Sequence, residues 1–156
     1  MDAGRYSTAE KWHSHVGLQW FCDVDGWHAG GHVQCDVAST FNLGGGSGAD
    51  VFDIDATLTG SVTGGAGSDT LQGTTIDAVV ITGSTANGFG GTESDVTGNF
   101  SEISVLTGNG GSLTGGNTAN TWTLDGTPQL SNGTHTLDFS GFATLTGGTL
   151  ADTFNV

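Results

Sequence analysis

Leu43-Gly-Gly-Gly-Ser-Gly-Ala-Asp-Val-Phe52 and Val62-Thr-Gly-Gly-Ala-Gly-Ser-Asp-Thr-Leu71 superimpose without a gap, 19 residues apart. Two later windows, Leu113-Thr-Gly-Gly-Asn-Thr-Ala-Asn-Thr-Trp122 and Leu145-Thr-Gly-Gly-Thr-Leu-Ala-Asp-Thr-Phe154, share the pattern. It reads aliphatic, any, Gly-Gly, two variable, small, Asp or Asn, any, large apolar. Three windows continue in alternation to Ile54, Leu124 and Val156, the period of a half-buried strand. Paired glycines adopt positive φ at no steric cost, so each window reads as a tight corner leading into a short strand. Thr, Val, Ile and Phe between the glycines give further strand candidates at residues 75–81, 102–106 and 135–139, and helix is favoured nowhere in this region.

Short strands punctuated by glycine corners predict an all-β chain, a right-handed parallel β-helix or β-roll-like solenoid, with a β-sandwich as the alternative. The glycine pairs begin at Gly45, Gly64, Gly115 and Gly147. The first interval suits one coil; the longer ones require excursions or extra coils.

Outside the windows the chain changes character. Of 29 glycines, five precede residue 42, whereas that first stretch holds His13, His15, His28, His32, both cysteines, Trp12, Trp20, Trp27 and the only two cations, Arg5 and Lys11. The division predicts an N-terminal cap over residues 1–41, its tryptophans closing an open core end, and a Gly/Thr-rich repeat region over 42–156. In 156 residues, 16 acidic against two basic side chains leave a net charge of −14. That balance excludes nucleic-acid binding by phosphate neutralisation and repels an anionic membrane surface. No apolar run approaches the roughly 20 residues of a spanning helix, so no membrane insertion is expected, and no signal peptide is recognisable.

Gly45-Gly-Ser-Gly-Ala-Asp-Val-Phe-Asp53 and Gly64-Gly-Ala-Gly-Ser-Asp-Thr-Leu-Gln72 resemble the hemolysin-type calcium-binding nonapeptide, Gly-Gly-x-Gly-x-Asp-x-apolar-x. The later windows lack the third glycine, and Asn120 replaces one aspartate. The longer run from Ile81-Thr-Gly-Ser to Leu145-Thr-Gly-Gly is similar to the β-strand repeats of large bacterial surface proteins grouped with filamentous haemagglutinin-like adhesins. The resemblance covers about residues 40–156. It implies a non-enzymatic module of an extracellular or cell-surface bacterial repeat protein, its cell-surface or matrix ligand unknown. It also implies calcium held by corner carbonyls and by the carboxylates of Asp50 and Asp69, with Asp53 close by. Calcium takes six to eight oxygens, so two half-sites must stack. The competing account of the same residues is turn chemistry with a side-chain ladder.

A second constellation, His13, His15, Cys22, His28, His32 and Cys35, carries the thiol and imidazole groups that zinc or another transition metal prefers. Its spacing fits no common zinc finger. A Cys22–Cys35 disulfide and free thiols are the alternatives, and the repeated Cys-Asp-Val at the two cysteines suggests paired strands. A metal bound there would activate water, which leaves open a small metal-dependent hydrolase of esters or lactones. No Gly-x-Ser-x-Gly, Gly-Lys-Ser/Thr or carboxylate pair nominates any other chemistry.

Overall fold

The computed structural model describes the backbone of residues 22–25 and the whole of residues 30–156. Among these residues there are fourteen β-strands and no helix. The fold is all-β, and its strands join into one open sheet.

Its spine is a parallel ladder. β2 (His32–Cys35) pairs with β4 (Val51–Ile54), β4 with β6 (Thr70–Gln72), β6 with the start of β10 (Val105–Thr114), and β10 with β13 (Thr136–Thr146). In register, Val33 lies on Phe52, Phe52 on Leu71, Leu71 on Leu106 and Leu106 on Phe139. All five are buried, so one column of apolar side chains runs through the ladder. Alternation produces it: β4 and β6 turn every second residue inward, at Phe52, Ile54 and Leu71. Burying such side chains stabilises the fold by about 1.5–3 kcal/mol each.

A second parallel ladder joins β3 (Leu43–Ser47), β5 (Val62–Ala66) and β9 (Val96–Ile103), stacking Leu43, Val62 and Phe100. Isolated parallel bridges stack Ser39, Leu58 and Val96 beside it. The windows identified in the sequence are the corners between β3 and β4 and between β5 and β6, and 19-residue register holds on both sides of them.

Antiparallel excursions interrupt the regular advance. β7 (Ala78–Ser84), β8 (Phe89–Glu93) and β9 form an antiparallel meander before the chain rejoins the spine at β10. Near the end, β11 (Thr121–Thr123) and β14 (Thr153–Asn155) carry the later two windows in parallel, while β12 (Gln129–Ser131) pairs antiparallel with β11 and β13. Trp122 is buried among Leu130, Phe139 and Phe154, each a register partner or ring neighbour.

At the other end β1 (Cys22–Asp25) pairs antiparallel with β2 and sets Cys22 opposite Cys35, as the repeated Cys-Asp-Val suggested. Cys35 is disulfide-bonded, and Cys22 is the only other cysteine in the chain. The strand expected at 75–81 begins later, at Ala78, and the one expected at 102–106 divides between Ile103 and Val105. The break has a cause: the N–H groups of Ser104 and Val105 both donate to the Asp69 carbonyl, bending the chain there.

Candidate functional site

The repeated Asp or Asn is buried in three of the four windows, and Asp152 of the last is partly buried. Asp69 is fully buried, and Asp50 and Asn120 are nearly so. Each carboxylate reaches back one repeat: the Gly31 N–H donates to Asp50 Oδ1 at 2.5 Å, and the Asp50 N–H donates to Asp69 Oδ1 at 2.9 Å. In the later pair the Asn120 N–H donates to Asp152 Oδ1 at 3.0 Å. The carboxylates thus complete backbone hydrogen bonding at corners where no strand partner does so.

The Gly-Gly pair makes room for them. A methyl group on Gly64 would lie 2.6 Å from Asp69 Oδ2, one on Gly147 2.5 Å from Asp152 Oδ2, and one on Gly45 would meet Asp50 Oδ2. The second glycine of the pair serves stacking between repeats: Gly65, at φ 101°, rests directly on the Gly46 carbonyl. At the next level this device is absent. Phe100 and Ser101 lie on Val62 and Thr63, and Glu102 then adopts φ 60°, a left-handed conformation unusual for a residue with a side chain.

Further side-chain ladders clamp the outer corners. The N–H and hydroxyl of Ser61 both donate to Asn42 Oδ1, those of Thr74 to Asp55 Oδ1, and those of Thr149 to Asn117 Oδ1. The first two span 19 residues, so a self-comparison of the sequence at that offset reveals them. Glu93, also buried, holds the β8–β9 turn: its Oε2 accepts the Asp95 N–H at 2.6 Å. No sequence signal marked it.

Of the expected calcium ligands, Asp50 and Asp69 come together and Asp53 does not join them. Asp53 lies on β4 in the row of Gln34 and Gln72, accepts from Gln72 Nε2 at 3.1 Å and stands 3.8 Å from His32 Nε2. One oxygen of each corner carboxylate is already committed to an N–H. Asp50 Oδ2 and Asp69 Oδ2 are buried without a hydrogen-bond partner. Burial pushes the Asp69 carboxyl above its ordinary value; the Asp50 N–H opposes this, and the charges of Asp50 and Glu102 raise it further.

Of the expected transition-metal ligands, His13, His15 and His28 lie outside the described residues, and only the backbone of Cys22 is within them. His32 is half-exposed on β2, and Cys35, being oxidised, offers no thiolate. Among the described residues no group of three or more His, Cys, Asp or Glu side chains is arranged to hold a metal ion. A recess of about 100 Å³ between Ile81, Ser84, Phe89, Asn117 and Asn132 is smaller than the roughly 300–1,000 Å³ of small-molecule sites. Among the described residues no helix is long and apolar enough to cross a membrane.

Comparison with protein-family models, with curated proteins and with solved structures found no match to the chain.

Proposed function

We propose that the chain is a structural, adhesin-like module of an extracellular bacterial repeat protein, built as a parallel β-solenoid. The observation that carries this reading is the constant 19-residue register from β2 through β6 and from β3 to β5, which stacks Val33, Phe52 and Leu71 in one column and Leu43 on Val62 in another. The Asp50 and Asp69 levels each add an apolar row and a corner carboxylate that accepts an N–H from the level before it. Quasi-one-dimensional stacking of this kind is how repeat proteins generate extended surfaces. The disulfide at Cys35 suits an oxidising, extracytoplasmic setting.

The test is removal of one level. Deleting residues 48–66 joins Ser47 to Gly67 and restores a complete window, whereas deleting residues 48–65 shifts the alternation by one and turns the buried row outward. The 19-residue deletion is expected to unfold cooperatively at a reduced midpoint, and the 18-residue deletion to lose cooperative folding. Equal behaviour of the two would overturn the solenoid.

A further inference from the structure

The recess beside β7 lies where the antiparallel excursion meets the third window. Ile81 and Phe89, both buried, form its floor, and Ser84, Asn117 and Asn132 stand at its rim. No charged side chain lines it, although the chain carries a net charge of −14. A charged ligand would lose water there and find no opposite charge in return, so the recess suits a neutral one.

The rim amides are held through their oxygens. Asn117 Oδ1 accepts the N–H and hydroxyl of Thr149 at 3.3 and 3.0 Å, and Asn132 Oδ1 accepts the N–H groups of Thr134 and His135 at 3.0 and 2.9 Å. Asn132 Nδ2 donates to Ser84 Oγ at 2.9 Å, which ties the β12–β13 turn to β7. Asn117 Nδ2 has no acceptor among the described residues, and Ser84, having accepted, keeps its O–H to donate. The rim side chains therefore offer donors to an incoming oxygen, beside an apolar floor.

Size narrows the choice. The volume of about 100 Å³ holds about three water-sized groups of roughly 30 Å³ each, too little for a sugar ring and enough for one substituent. An acetyl group is three such atoms, a carbonyl oxygen and a methyl on one carbon. We infer that the recess binds the acetyl group of a neutral N-acetylated amino sugar: Asn117 Nδ2 and Ser84 Oγ donate to its carbonyl oxygen, its methyl lies on Ile81 and Phe89, and the ring stays outside. The inference rests on the adhesin-like reading and gives that module a ligand class, since N-acetylated sugars are neutral groups that surface and matrix glycans display.

The test is an amide chemical-shift titration of the full chain with N-acetylglucosamine and with glucose, which lacks the acetyl group. The wild type is expected to give saturable shifts at Ile81, Ser84 and Gly116 with the first sugar and none with the second. Gly116→Ala sets a methyl 3.5 Å from Ile81 Cγ2, an ordinary contact that the fold tolerates, inside a recess that both residues line. It is expected to abolish the response, and Asn117→Ala, which removes one donor, to weaken binding roughly 2–10-fold. Equal responses to the two sugars, no saturable response to N-acetylglucosamine, or full binding by Gly116→Ala would each overturn the inference. Should Gly116→Ala fail to fold, unchanged affinity in Asn117→Ala would overturn it instead. The recess draws on residues 81–132, outside the deletions that test the solenoid, so failure of the sugar site and failure of the solenoid are separate results.

Discussion

Trp122 and Phe154 lie face to face, ring centroids 5.3 Å apart and planes 9° from parallel, one at the large-apolar position of the third window and the other at that of the fourth. Register between β11 and β14 places them there, and the Phe139 ring meets Trp122 edge-on at 5.6 Å. The repeat thus propagates through its last apolar position as well as through its corner.

Truncating the two rings should have unequal effects. Trp122 is fully buried and Phe154 is 43% exposed. Trp122→Ala is expected to destabilise by about 3–5 kcal/mol, and Phe154→Ala by about 1–2 kcal/mol, combining partial burial with the loss of one aromatic pair. Urea denaturation measures both, and a Phe154→Ala cost equal to that of Trp122→Ala would show that the stack extends beyond these rings.

Gly65 and Gly110 separate steric crowding from backbone strain. Both have positive φ, 101° and 91°, but a side chain on Gly65 meets the Gly46 carbonyl whereas nothing lies within 4 Å of one on Gly110. Gly110→Ala should cost about 1–2 kcal/mol, the left-handed penalty alone. Gly65→Ala adds overpacking between repeats, about 1–3 kcal/mol more. Comparable midpoints for the two variants in chemical denaturation would contradict close stacking of Gly65 on Gly46.

Much of this architecture is legible in the residues. Gly45 and Gly64 announce the 19-residue level, and their aspartates fall in one column because the same window recurs at the same register. The gap before Gly115 is opaque for a physical reason. β7 and β8 depart from the parallel advance, and the level that should follow Gly64 is occupied by Phe100, Ser101 and Glu102, where a strained glutamate replaces glycine. No composition rule reads Glu102 as a corner. Asp53 is close to the acidic corner in sequence, but strand alternation sets it in the Gln34–Gln72 row.

Oxidation state is open to direct measurement. Alkylation of the folded protein without reductant should label no cysteine, because Cys35 is disulfide-bonded. Reduction should cost about 3 kcal/mol, the order expected for a closed loop of some 15 residues. A labelled thiol in the untreated protein would remove β1 as a covalently held edge.

Asp55 should respond to acid in the sense opposite to Asp69. The Thr74 N–H and hydroxyl donate to its Oδ1 at 2.8 and 2.9 Å, and these bonds favour the charged form and lower the carboxyl below 3.8, the backbone bond most. The folded value lies below the unfolded one, so the contribution is present above pH 3.8 and disappears as pH falls through the folded value. Thr74→Val removes the hydroxyl and keeps the N–H, so the Asp55 midpoint, followed by its carboxyl carbon resonance, should move upward but stop short of 3.8. Complete restoration would mean that the hydroxyl, not the backbone, holds this corner; no movement would mean that the side-chain bond is absent in solution.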